Sequence, residues 1–168
     1  YQTGLADPHT GLFHPNGYFY FTAQRAGAVA RLDPTTGDIT HIDTRARPYG
    51  IKVGANGLIY VAFNGDNAIG EVNPETLEIH YFTIPHEDSR IRRLDVGSDG
   101  SIWYVNSARG KIGHLNPVTG EVREWDSPSG PNSHPYAIAV IDDIVWYNES
   151  GQRPDALVRF DPESETFQ

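Results

Sequence analysis

The chain has no cysteine and no methionine among its 168 residues. Without cysteine there are no disulfides, no thiolate nucleophiles and no Cys-ligated metals. Without methionine the sequence lacks its own start residue, so Tyr1 is expected to be a processed or trimmed boundary. No signal peptide is visible, and a secreted or periplasmic location stays open. Basic charge is scarce: 13 Lys and Arg stand against 22 Asp and Glu, a formal net charge of −9. No basic stripe exists to release counterions from a phosphate backbone, so no nucleic-acid partner is expected. The densest basic cluster, Arg90, Arg92 and Arg93, is interrupted by Ile91. No apolar run approaches the roughly 20 residues of a membrane helix, and no membrane partner is expected. Phosphate-cradling glycine loops, His-x-x-x-His pairs and Gly-x-Ser-x-Gly elbows are also absent.

What the chain does have is apolar residues at 38%, 17 glycines, 12 prolines and an internal period. Apolar content at that level makes a packed core the expectation and argues against disorder. Four segments, Asn16-Gly17-Tyr18-Phe19-Tyr20, Asn56-Gly57-Leu58-Ile59-Tyr60, Asp99-Gly100-Ser101-Ile102-Trp103 and Asp142-Asp143-Ile144-Val145-Trp146, end in aromatics spaced by 40, 43 and 43 residues. A second marker follows each: Leu32-Asp33-Pro34, Val72-Asn73-Pro74, Leu115-Asn116-Pro117 and Phe160-Asp161-Pro162, with prolines spaced by 40, 43 and 45. Two independent markers on one period define a repeat.

Within a unit the short apolar runs are bounded by Gly, Pro, Asn or Asp, as strands are, and none carries a sustained 3.6-residue period. Asn-Gly and Asp-Gly suit the left-handed positions of tight hairpins. Asp33-Pro34-Thr35-Thr36-Gly37 and Asn116-Pro117-Val118-Thr119-Gly120 read as turns closed by a left-handed glycine. Leu77 and Glu165 replace that glycine, which predicts looser turns there. A unit of about 42 residues with four short antiparallel strands is a β-propeller blade. The expected fold is all-β, with four blades at approximately 8–43, 47–83, 89–126 and 134–168 in one segment, 1–168. The second strand of each should lie mid-sheet, the fourth at the outer edge, and Tyr20, Tyr60, Trp103 and Trp146 should be blade core. Tyr1-Gln2-Thr3 reads as the end of a preceding fourth strand, so the blades are expected to fill an arc of a longer ring, with self-association through open blade faces if the chain is a fragment.

Pro48-Tyr49-Gly50-Ile51, Asp99-Gly100-Ser101-Ile102-Trp103-Tyr104 and Ile112-Gly113-His114-Leu115-Asn116-Pro117-Val118-Thr119-Gly120 resemble the repeat of the virginiamycin B lyase (streptogramin lyase) family of seven-bladed propellers. Tyr147-Asn148-Glu149-Ser150-Gly151 is also similar to family members, and the likeness spans essentially the whole chain. Related NHL-type repeats bind partners without catalysis. The resemblance implies a seven-bladed ring that opens a cyclic depsipeptide by Mg²⁺-dependent elimination across an ester C–O bond. It also implies a base from a Pro-His motif and a metal-binding Glu at the end of a Trp-Phe-Thr-Glu motif.

On that resemblance His9, after Pro8, is the candidate base, and Glu149 is the candidate Mg²⁺ ligand. Ala23 stands where the first repeat would carry the Glu, and Tyr136 where the fourth would carry the His, so no single repeat holds both. Asp7 is a candidate additional oxygen ligand, and His134 a candidate replacement for the missing His. Tyr49 and Tyr136 occupy equivalent positions and are expected to line a channel mouth as substrate-binding residues, or else to pack between blades. Arg92 and Arg93 are expected either to hold an anionic ligand in the channel or to pair with Glu87 and Asp88 in a loop. Two readings follow: a Mg²⁺-dependent C–O lyase acting on a cyclic depsipeptide or related ester, and a non-catalytic propeller binding a peptide, glycan or protein at its rim or channel. In both, the expected partner is a small-molecule or peptide-like ligand in the central channel.

Overall fold

The structure, a computed structural model, describes residues 1–168. It contains sixteen strands and no helix. The first sheet is β1 (Pro8–Phe13), β2 (Phe19–Ala23), β3 (Ala28–Leu32) and β4 (Ile39–Asp43). The second is β5 (Arg47–Val53), β6 (Ile59–Asn64), β7 (Ala68–Val72) and β8 (Ile79–Thr83). The third is β9 (Ile91–Val96), β10 (Ile102–Asn106), β11 (Lys111–Leu115) and β12 (Val122–Asp126). The fourth is β13 (Pro135–Ile141), β14 (Ile144–Glu149), β15 (Ala156–Asp161) and β16 (Thr166–Phe167). Every sheet runs in chain order with antiparallel neighbours. Strand β1 packs along β5, β5 along β9, and β9 along β13. The first strands therefore bound a central channel and the fourth strands form the outer edges, as in a propeller.

The sheets are held face to face by apolar seams. Tyr20 and Val29 of the first sheet meet Ile51, Ile59, Val61 and Phe63 of the second. Tyr60 and Ile69 meet Ile91, Ile102 and Tyr104 of the third. Trp103, Val105 and Ile112 meet Val145, Tyr147 and Val158 of the fourth. In each middle strand consecutive side chains alternate between two seams, because a strand has period two. Tyr20, Tyr60 and Trp103 are buried by the following sheet. Trp146 holds the same register but is only half-buried, which corrects its assignment to the core. No further sheet lies over that face, and Leu157 beside it is 70% exposed. No apolar cluster joins the first and fourth sheets, so the four blades form an arc.

Residues 1–7 form no strand, contrary to the expectation for Tyr1-Gln2-Thr3. Instead Leu5 packs on the outer face of the first sheet, against a cluster of Phe21, Ala23, Ala28, Ala30 and Leu32. The backbone carbonyls of Ala6 and Asp7 accept from Ala26 and Gln24.

The turns also depart from expectation at one point. Gly37 and Gly120 are left-handed, and so are Leu77 (φ 62) and Glu165 (φ 53) in the equivalent turns. Leu77 donates its amide to Asn73 at 2.8 Å, matching the Gly37–Asp33 bond of 2.8 Å. The Leu77 turn is therefore the same rather than looser, whereas the Glu165 turn lacks the equivalent bond to Asp161. The cost of a side chain at positive φ is offset by burial, because Leu77 lies in the first seam.

The seams carry the stability, and this is testable. Ile102 is fully buried in the middle seam and Val118 is 92% exposed on a turn. Ile102→Ala is expected to lower the unfolding free energy by about 2–5 kcal/mol, and Val118→Ala to change it by less than about 0.5 kcal/mol. Urea unfolding followed by tryptophan fluorescence measures both. Similar effects from the two substitutions would contradict the seam account.

Candidate functional site

Each first strand carries one extra residue at the same place. Pro8 pairs with Ala23 but Gly11 with Phe21, and Pro48 pairs with Phe63 but Ile51 with Val61. Ile91 pairs with Asn106 but Leu94 with Tyr104, and Pro135 pairs with Glu149 but Ile138 with Tyr147. Each is a β-bulge, an irregularity that re-aims side chains. The bulged pairs are His9-Thr10, Tyr49-Gly50, Arg92-Arg93 and Tyr136-Ala137. The middle strand satisfies the displaced amides in two blades: Thr10 N–H donates to Thr22 Oγ1 at 3.2 Å, and Ala137 N–H to Asn148 Oδ1 at 2.7 Å. Glycine is required at Gly50, where a Cβ would stand 2.6 Å from the Arg92 carbonyl oxygen.

These bulges converge on one cluster. The His9 ring lies 4.1 Å from the Tyr49 ring, centroid to centroid. The Tyr49 and Tyr136 hydroxyls share a 2.9 Å hydrogen bond, although they come from the second and fourth blades. The Arg92 guanidinium lies 5.7 Å from the Tyr49 ring and 5.3 Å from the Tyr136 ring, and that of Arg93 5.1 and 5.8 Å. These are cation–π distances. Thr10 ties the edge of the cluster: its Oγ1 accepts from Arg93 at 2.9 Å and lies 2.8 Å from His9 Nδ1. In the tautomer whose Nδ1–H is donated to Thr10, the His9 Nε2 keeps its lone pair and can accept a proton.

The arginines do not pair with the preceding loop. Asp88 takes Arg109 at 3.1 Å instead. The Tyr pair is polarised. The hydrogen bond from Tyr49, with the charges of Arg93 and Arg92, holds the Tyr136 phenol below its ordinary value. Burial, followed by the bond to Tyr136, pushes Tyr49 up. Beside the cluster lies a cavity of about 480 Å³ lined by Arg90, Arg92, Ser107, His134, Tyr136 and Ser150. His134, at φ 48, is held by its Nδ1 3.0 Å from the Ser107 carbonyl.

Glu149 is not part of this cluster. It is 1% exposed and faces the connection between the third and fourth blades. Its Oε1 accepts from the Ser127 hydroxyl and from the Ser129 amide at 3.0 Å, and its Oε2 accepts from the Ser129 hydroxyl. Burial opposes its ionisation, but those three donors outweigh it and hold the carboxyl below the usual range. Asp7 lies 3.8 Å from Arg25 on the rim. No group of three or more His, Asp or Glu side chains gathers anywhere in the chain. Glu149, the implied Mg²⁺ ligand, is committed to the Ser127 and Ser129 donors in this chain.

Of the residues singled out from sequence, His9, Tyr49, Tyr136, Arg92 and Arg93 are brought together and Glu149 is held apart. Thr10, Ser107 and Ser150 went unmarked. Only Thr10 had a signal, its place in the repeat equivalent to that of Gly50, Arg93 and Ala137.

A sequence model of the virginiamycin B lyase family matches residues 38–167. A streptogramin B lyase structure is 26% identical with a TM-score of 0.85, covering 96% of this chain and 53% of that one. A selenomethionine virginiamycin B lyase from Staphylococcus aureus is 27% identical with a TM-score of 0.85, covering 96% and 54%. A catalytically inactive His-to-Ala variant of virginiamycin B lyase from Staphylococcus aureus, with quinupristin, superposes at a TM-score of 0.88 over 100% of this chain and 56% of that one, at 24% identity. This chain thus spans about half the length of these solved relatives. No curated protein matches it.

The Glu149 network makes a pH prediction. A carboxyl whose folded value is depressed contributes stability that is present above its unfolded value and is lost as pH falls through the folded one. Glu149→Gln should cost about 1.5–3 kcal/mol near neutrality, the worth of hydrogen bonds to a charged group. It should also flatten the loss of stability below about pH 4, near the ordinary value of a glutamate. Chemical denaturation across pH measures this. Parallel pH profiles for the two proteins would contradict it.

Proposed function

Because this chain belongs to the virginiamycin B lyase family, we propose that its channel face binds the substrate of a C–O lyase that opens a cyclic depsipeptide or related ester. The observation that carries this reading is the convergence of His9, Tyr49, Arg92 and Tyr136 from four equivalent bulges. Such an elimination removes a proton α to a carbonyl, passes the electron pair into an enolate, and expels the ester oxygen without water. It needs a base within reach of the proton and donors aimed at the developing oxyanion. His9 Nε2 is the base in this reading, and the tyrosine hydroxyls with the Arg92 guanidinium are the donors.

A second reading is favoured by Glu149. Its engagement with Ser127 and Ser129 leaves it a structural carboxylate, and the channel then serves as a binding surface without catalysis.

The test uses full-length protein and a streptogramin B depsipeptide, followed by chromatography with mass detection. Elimination gives a linear product of unchanged mass, whereas hydrolysis adds one water. His9→Ala is expected to lower kcat by about 10²–10⁴-fold, the usual contribution of a general base. Tyr136→Phe should lower kcat more than it raises KM. A hydrolysed product would overturn the lyase reading. Binding without ring opening would establish the scaffold reading.

A further inference from the structure

Eight of the 13 Lys and Arg side chains have a carboxylate within 4.0 Å. The remaining five are Arg31, Arg47, Arg90, Arg92 and Arg93, and three of these lie together at the head of β9. In a chain with 22 acidic residues this is a local excess of unneutralised charge. Its donors are not used up internally. Arg92 Nε is buried with no acceptor, and Arg93 has one hydroxyl partner, Thr10. A buried guanidinium nitrogen without an acceptor is a cost, and it leaves the Arg92 charge uncompensated within the chain. The aromatic faces of Tyr49 and Tyr136 hold both guanidiniums from the side without neutralising them. The adjoining cavity of about 480 Å³ adds Arg90, His134 and two serines, Ser107 and Ser150, and no carboxylate.

We propose that the Arg90–Arg92–Arg93 face of the channel is a docking site for a carboxylate carried by a peptide-like or ester ligand. This rests on the reading that the channel face binds the substrate, and it names the class of that substrate. Planar guanidinium forks match a carboxylate with two parallel N–H bonds, and the Tyr136 hydroxyl beside them is a further donor to an anion. The acidic remainder of the protein repels anions, so selectivity has to come from this local field.

The experiment compares N-acetylphenylalanine with N-acetylphenylalaninamide on full-length protein, by NMR or fluorescence titration. The two probes share shape and differ in charge. The acid is expected to bind at least about tenfold tighter at low ionic strength, with the advantage shrinking as salt rises. Arg92→Gln and Arg93→Gln should each reduce the acid-to-amide ratio towards one. Arg25→Gln, on the exposed rim, makes the same change in net charge and should leave the ratio as it is. Equal binding of acid and amide, or a ratio untouched by both channel substitutions, would overturn the proposal. Phenyl phosphate binding tighter than the acid would reassign the site to phosphate and overturn the carboxylate assignment. If the channel variants fail to fold, the wild-type ratio and its salt dependence still decide. Depsipeptide opening without an acid preference would remove the carboxylate site alone. An acid preference without opening would remove the lyase reading alone.

Discussion

One extra residue in β1, and its counterparts in β5, β9 and β13, breaks the two-residue alternation of the innermost strands at a common height. Regular pairing would leave His9, Tyr49, Arg92 and Tyr136 in register with their sheets. The bulge turns them towards the neighbouring first strands, where they meet across four blades. The seams set how close they come: burial of Tyr20, Tyr60 and Trp103 between sheets fixes the spacing of the first strands. The cluster is thus a product of repetition, with the same backbone device used four times and a different side chain placed on it each time.

The period was legible because turn chemistry and core aromatics repeat together, and both are local signals. Strand order followed from them. What sequence reading could not reach were contacts between units. The left-handed Leu77 looks like a lost glycine until the seam that buries it is seen. Trp146 carries the same motif position as Trp103 but no sheet covers it. The partners of Glu149, Ser127 and Ser129, lie about twenty residues away in the connection between blades, where nothing in the motif names them. The bulges add a residue without any compositional mark beyond the Pro-x-Gly of the second copy.

Charge divides the molecule in a similar way. Most cations are spent on rim ion pairs that contribute little each. Glu149 stabilises a connection through hydrogen bonds in a buried place. The channel arginines are left to aromatic faces and a threonine, so the positive field is concentrated where the bulges meet.

The central claim is that bulges from different blades bring their side chains into direct contact, and the Tyr49–Tyr136 hydrogen bond is its most specific element. A double-mutant cycle with Tyr49→Phe, Tyr136→Phe and both together, read as unfolding free energy, tests it most directly. The account predicts a coupling of about 0.5–1.5 kcal/mol, the net worth of one hydrogen bond. Additive effects, with no coupling between the two hydroxyls, would contradict it.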